Sequence, residues 1–335
     1  MADAAAERGP GGIARFLARR LAEAVPVFLG IVLFSFFILH LAPGDTIDVL
    51  AGEAGTGDAA YLDQLRQTYG LDQPLIVQLG HYFIEIAHLD LGYSIHYGAP
   101  VAGLIGGRIA PTVLLMGTSI VLSVVIGIGA GTLAAMARNS WLDELISLVA
   151  LVAYAMPIFW IGLMLIILFS VVLGWLPSGG FYDAARTAQD PLSRSLDIAR
   201  HLVLPAITLA LFYFAVYTRL TRASMLEVLG MDYVRTARAK GLDRWKVTLR
   251  HVLRNALLPV VTMIGMQAAS LFGGAVVVET VFNWPGLGRL TYDAIFEREY
   301  QLLIGILLIS SALVIVVNIC VDLIYSWLDP RIVAR

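Results

Sequence analysis

Six stretches of this chain, 24–41, 109–137, 145–173, 201–218, 255–278 and 302–321, contain no Asp, Glu, Lys or Arg. A hydrocarbon layer about 30 Å thick is crossed by about 20 residues of helix, so each stretch is long enough, or nearly so, to span a bilayer. One Lys or Arg at the centre of such a helix costs about 2.5–3.5 kcal/mol, which makes the exclusion a mark of lipid as solvent. Composition agrees: 59% of the residues are hydrophobic, 14% are charged and mean hydropathy is +0.79. The expected fold class is an all-α membrane protein with six transmembrane helices. The 109–137 stretch is long enough to overrun the bilayer and should tilt or project, whereas 24–41 and 201–218 are slightly short. Pro157 and Pro205 are expected to kink the third and fourth spans. Gly127, Gly129, Gly131, Gly273 and Gly274 should let helices pack closely.

Charge sets the orientation. Placing the N-terminus inside puts Arg8, Arg15, Arg19, Arg20, Arg138, the basic residues of 219–254, Arg331 and Arg335 on the cytoplasmic side. The outer side then keeps only Arg66, Arg108, Arg186, Arg194, Arg200, Arg289 and Arg298, so both termini are expected in the cytoplasm. Residues 1–12 read as a disordered tail ahead of a membrane domain over 13–335. Residues 13–23 read as an amphipathic lead-in at the inner interface. The outer segment 43–108 is too long for a hairpin and shows helical spacing at 58–69 and 75–87, as a small cap would. Cys320 is the single cysteine, so no internal disulfide can form. An uncleaved first helix is expected, because residues 41–45 offer no signal-peptidase pattern.

The inner loop 219–254 bears nine basic residues against Glu227, Asp232 and Asp243. Asp232 to Lys240 has helical character and is followed by Gly241, suited to ending a helix in the left-handed conformation. A second helix is expected to start near Asp243, with Trp245, Leu249, Val252 and Ala256 on one face. The result is a helix–Gly–helix elbow beneath the membrane, whose small Ala237 and Ala239 would permit close approach by another protein. A loop contacting lipid headgroups is the plainer reading of the same charges.

This elbow resembles the cytoplasmic coupling segment of ABC-importer permeases, and the chain is similar to the dipeptide, oligopeptide and nickel type over nearly its whole length. The blocks that carry the resemblance are Leu41-Ala42-Pro43-Gly44-Asp45, Leu71-Asp72-Gln73-Pro74-Leu75, Leu89-Asp90-Leu91-Gly92-Tyr93-Ser94, Arg235-Thr236-Ala237-Arg238-Ala239-Lys240-Gly241, Arg254-Asn255-Ala256-Leu257-Leu258-Pro259, Asn283-Trp284-Pro285-Gly286-Leu287-Gly288 and Leu328-Asp329-Pro330-Arg331. Leu89 stands where the type often has Gly, and only Ala237 and Gly241 match the general coupling pattern of the wider family. The resemblance implies the type I importer permease fold in a bacterial inner membrane. It implies a second homologous permease, two cytoplasmic ATPases and an extracytoplasmic solute-binding protein as partners, besides membrane lipid; nucleic acid is not among them. Arg235, Thr236, Ala237, Arg238, Ala239, Lys240 and Gly241 would couple to the ATPase, and the turn with Trp284, Pro285, Gly286 and Gly288 would meet the binding protein. No phosphate-binding G-x-x-x-x-G-K-[ST] sequence occurs, so ATP and Mg are expected on the partner ATPases and not on this chain. No catalytic residues are expected. Dipeptides, longer peptides, glutathione-like peptides and nickel chelates all remain open as cargo.

Other residues read more simply. His81, His88 and His96 are loosely spaced in the outer cap, and no metal is expected on them. Glu279 could line the pathway, although capping or packing fits its place at a span end. Asn318 and Asp322 lie near the inner end of the last helix, where a structural role is expected. A stand-alone ion-coupled transporter is the alternative class; it predicts ionisable residues near the bilayer midplane and an internal repeat, neither of which is seen.

Overall fold

The computed structural model describes residues 10–41, 73–94, 96–183, 190–267 and 270–328. Helices dominate them. In chain order they are α1 (Pro10–Leu41), α2 (Leu75–Ala87), α3 (Val101–Met136), α4 (Trp141–Ala155) and α5 (Ile158–Leu165), the last continued by a π-helical stretch, Ile166–Val172. Then come α6 (Pro191–Leu229), α7 (Asp232–Ala239), α8 (Arg244–Lys246), a second π-helical stretch (Val247–Leu253) and α9 (Arg254–Gln267). α10 (Ser270–Val281), α11 (Leu287–Phe296) and α12 (Tyr300–Leu328) follow. A short antiparallel ladder, β1 (Tyr93–Ser94) with β2 (Ala99–Pro100), precedes α3.

Among the described residues, four helices are long and apolar enough to cross a membrane, over Ala18–Ile38, Val101–Met136, Pro191–Leu229 and Tyr300–Val321. A fifth crossing arises if α4 and α5 form one broken span. They meet at a bend of 108°, so no straight helix runs over 145–173. The cause is local: Met156 is extended (φ −81°, ψ 138°) ahead of Pro157, whose ring disfavours helical geometry in the residue before it. The sixth apolar stretch, 255–278, is divided between α9 and α10.

Pro205, expected to kink its span, lies inside the unbroken helix α6. That helix also corrects the short span expected at 201–218, because it continues through Arg194 and Arg200 at one end and Arg219 and Arg222 at the other. α1 begins at Pro10, within the stretch read as a tail; proline suits a first helical turn, where its missing N–H has no intrahelical partner. The helix expected at 75–87 is present as α2, and the one expected at 58–69 lies outside the described residues.

Two compact units divide the chain, Met1–Gly107 with Asp293–Ile319, and Arg108–Tyr292 with Cys320–Arg335. In the first, Phe36 of α1 meets Tyr82 of α2 at 5.7 Å between ring centroids. Gln301 Nε2 donates to Leu91 O at 3.0 Å, and His96 N donates to the Glu299 carboxylate at 2.9 Å. Of the three histidines expected in an outer cap, His96 also faces Glu297 at 3.3 Å, and His88 Nδ1 lies 2.8 Å from Ile84 O.

The second unit is built around α6, the most buried of the long apolar helices. It contributes Leu202, Leu204, Leu209, Tyr213 and Tyr217 to a core completed by Leu115, Val260, Val278, Phe282 and Trp284. α3 approaches α6 closely at Gly131, where a Cβ would sit 2.6 Å from Thr218 O and 2.7 Å from Thr221 Cβ. Gly127 and Gly274 also have tight neighbours, whereas Gly129 and Gly273 have none within 4 Å and are not explained by close packing.

Candidate coupling elbow

The elbow is α7, the turn through Gly241 and α8 with its π-helical continuation. α7 starts after the extended Met231 and carries Asp232 in its first turn, where a carboxylate complements the partial positive charge of a helix N-terminus. It ends at Gly241, with φ +76° and its N–H donating to Arg238 O at 2.9 Å. A side chain is disfavoured in that left-handed region, so the chain can reverse there with least strain at glycine. Asp243 then caps α8, its carboxylate accepting from Trp245 N at 2.9 Å and Lys246 N at 3.4 Å.

One face of the elbow is a small core. Val234 and Ala237 of α7 pack with Met225 and Val228 of α6, Ala135 of α3, and Val247, Val252 and Ala256. The expected second-helix face is therefore half wrong: Val252 and Ala256 are buried, but Trp245 is 53% and Leu249 54% exposed. The π-helical stretch is the reason. Bonding from i to i+5 brings residues five apart onto one face, so Val247 joins Val252 inside in place of the α-spaced Leu249.

The expected coupling residues divide the same way. Arg235, Thr236, Arg238, Ala239, Lys240 and Gly241 are exposed, whereas Ala237 points into the core and is not available for close approach by another protein. Ala237→Trp should therefore disrupt the elbow itself, since overpacking a core costs about 1–3 kcal/mol. Limited trypsin digestion of the purified variant should cut faster at Arg235 and Arg238; an unchanged rate would contradict the inward placement.

Polar bonds fasten the elbow to the helices above it. Arg244 Nη2 donates to Met136 O at 2.7 Å, supplying a partner for a carbonyl in the last turn of α3. Asn255 Nδ2 donates to Tyr233 Oη at 2.8 Å and to His251 O at 3.0 Å, tying α7 to the start of α9. Towards the C-terminal end of α6, Arg222 Nε and Nη2 donate to the two Asp143 oxygens at 2.6 and 2.8 Å. Asp143 is 4% exposed and also accepts from Asn139 N at 3.2 Å. By contrast, Arg235 and Asp232 stand 3.7 Å apart on open surface, where an ion pair contributes little.

The second expected contact region, around Trp284, turns inward. Trp284, Gly286 and Gly288 are buried, Pro285 is partly buried, and Asn283 is the exposed residue of the turn. Trp284 Nε1 donates to Pro111 O at 2.9 Å. Glu279, fully buried, accepts from Thr112 Oγ1 at 2.7 Å and from Arg289 N at 3.0 Å, while Leu287 N donates to Thr112 Oγ1 at 2.8 Å. Glu279 and Thr112 together cap α11, which favours the capping alternative for Glu279 over the pathway one. The glycines are required by this arrangement: a Cβ on Gly286 would overlap the carboxylate, and one on Gly288 would lie 2.5 Å from Val276 Cα. The side chain of Asp322 lies outside the described residues, and Asn318 is partly buried.

The elbow's sequence and the apolar helices around it are those of a recognised group. Residues 127–334 match the family described as binding-protein-dependent transport system inner membrane component, and residues 13–115 match the N-terminal family of the same proteins. The chain belongs to this family. It is 41% identical to the dipeptide transport system permease protein DppB of Escherichia coli (strain K12), covering 95% of this chain and 98% of that one. It is 42% identical to a putative peptide permease protein of Brucella suis biovar 1 and 41% identical to the glutathione transport system permease protein GsiC of Escherichia coli O6:H1, with the same coverage in both cases. A solved inward-facing structure of the MetNI methionine ABC transporter aligns with a TM-score of 0.55 at 18% identity over 68% of this chain and 96% of that one, which shows the shared fold. The permease is thus an inner-membrane component with several apolar helices, as the resemblance implied.

The Arg222–Asp143 pair, the Arg244–Met136 bond and the role of Thr112 are not expected from the sequence. Asp143 carried a faint signal: it lies three residues after Ser140 at the start of a helix, and the Ser140 hydroxyl faces its N–H at 3.5 Å.

Proposed function

We propose that this permease crosses the membrane six times with both termini in the cytoplasm, pairs with a second homologous permease, and carries peptides or related small solutes. Two cytoplasmic ATPases, with ATP and Mg bound to them, would drive it, and an extracytoplasmic binding protein would deliver the solute. The dipeptide, peptide and glutathione permeases to which it is similar support this substrate class. The six-span count treats α4–α5 and α9–α10 each as one interrupted crossing.

The observation that carries the mechanism is the two-sided elbow. Its exposed face presents Arg235 and Lys240, and its opposite face is packed and hydrogen-bonded to α3, α6 and α9. A push on that exposed face would reach the helices as a rigid-body movement, because packed interfaces switch between discrete arrangements and do not deform continuously. The turn at Trp284, Pro285, Gly286 and Gly288 would support a binding-protein contact from within, with Asn283 and Pro285 the residues able to touch a partner.

Proteoliposomes holding both permeases and both ATPases should accumulate peptide only with ATP and the binding protein present. Uptake by this chain alone under an ion gradient would establish the alternative class. Within the complex, Arg235→Glu should weaken co-purification of the ATPase about tenfold, the effect of losing about 1.4 kcal/mol of binding. Unchanged co-purification would remove the elbow as the docking site.

A further inference from the structure

A cavity of about 340 Å³ lies behind the elbow, lined by Met136 at the end of α3, Arg138 in the turn after it, Leu226 and Leu229 of α6, and Arg238 and Arg244. Three guanidinium groups thus border one space, and no carboxylate is among its lining residues. Asp143, whose charge also acts on Arg138, is already held by two nitrogens of Arg222. Arg244 is aimed by its bond to Met136 O, and the Arg238 side chain has no hydrogen-bond or ion-pair partner among the described residues. Arg138, Arg238 and Arg244 are exposed, while Thr248, also on the cavity wall, is buried.

We propose that this cavity binds a phosphate-bearing anion. Planar guanidinium groups match phosphate oxygens in pairs, and three of them bordering one space gather positive charge with little internal neutralisation. The lining also suits a phosphate attached to something apolar, since Met136, Leu226 and Leu229 lie beside the arginines. Exposed Trp141, Trp245 and Leu249 occupy the same inner end of the unit, with the amphipathic or apolar character of residues at a lipid interface. An anionic phospholipid of the inner leaflet and free phosphate share the recognised chemistry. Placing the cavity on the inner side rests on the importer reading above. Occupancy would link the elbow to the inner ends of α3 and α6, so the anion would stabilise the contact through which the ATPase acts.

The test uses the full importer complex, unaltered or with Arg138→Gln and Arg238→Gln together, in nanodiscs of phosphatidylcholine alone or mixed with phosphatidylglycerol. Retained lipid is read by native mass spectrometry, and inorganic phosphate is titrated separately by phosphorus NMR. At about fivefold per arginine, the double variant should lose about 25-fold in affinity for whichever anion the unaltered complex retains. Selective retention of phosphatidylglycerol identifies lipid as the source, and binding of inorganic phosphate alone identifies the free anion. Equal binding of both anions by the two complexes overturns the proposal. So does loss of the ATPases from the variant in phosphatidylcholine discs without any difference in anion binding, which would assign the cavity to an acidic side chain of a protein partner. ATP-driven uptake is measured on the same unaltered complex, so failure of the importer reading registers separately from failure of the anion site.

Discussion

Glu279→Ala should lower the stability of this permease by about 4 kcal/mol and abolish most of the monodisperse protein recovered in detergent. The carboxylate is fully buried and accepts from both Thr112 Oγ1 and Arg289 N, so its removal strands two donors and weakens the cap of α11. Each buried donor left unpaired costs about 1–3 kcal/mol, and the vacated volume adds to that. Glu279→Gln keeps the shape but turns an amide N–H₂ towards one of those donors, so it should fall between the wild type and the alanine variant. Gly286→Ala should be comparably harmful from the opposite direction, because its added Cβ enters the space of the same carboxylate. Fluorescence-detected gel filtration after graded heating compares the three. An alanine variant at 279 that melts with the unaltered chain would show that the network contributes nothing.

Breaking the Arg222–Asp143 pair should have the next largest effect. Arg222→Ala leaves the 4%-exposed Asp143 without its two-pronged partner, a loss of about 3 kcal/mol. Removing both charges, with Asp143→Asn and Arg222→Gln, should recover part of that loss, because an uncompensated buried charge is worse than a neutral polar pair. The same pair joins the start of α4 to the C-terminal part of α6, so ATP-driven uptake per folded complex should fall as well. A thermodynamic cycle over Asp143→Asn, Arg222→Gln and the two combined measures the coupling; additive effects would show that the two side chains act independently.

Both pairs show where sequence reading stops. Asp143 and Arg222 are 79 residues apart, and Thr112 and Glu279 are 167 apart. Nothing in the local pattern around either member names its partner. The inward turn of Trp284 was hidden for the same reason: an aromatic beside a Pro-Gly turn at a span end is equally compatible with an interfacial anchor and with the core, and the bond to Pro111 O decides it. In the elbow, the π-helical stretch Val247–Leu253 replaced the assumed α spacing, which exchanged Leu249 for Val247 on the inner face.

What the sequence by itself determined is whatever depends on solvent or on one residue's backbone. Apolar stretches without charge locate helices suited to lipid, because a charged side chain is expensive in hydrocarbon wherever it lies along the chain. Pro157 marked the break between α4 and α5, and Gly241 the end of α7, through restrictions on φ and ψ that act within one or two residues. Tertiary structure alone decided that α6 forms the centre of its unit, that Ala237 faces inward, and that the helix Glu279 caps is α11, with Thr112 as its partner. Those outcomes depend on which distant groups meet once the helices have packed, and a buried donor or charge takes whatever partner that packing brings within reach.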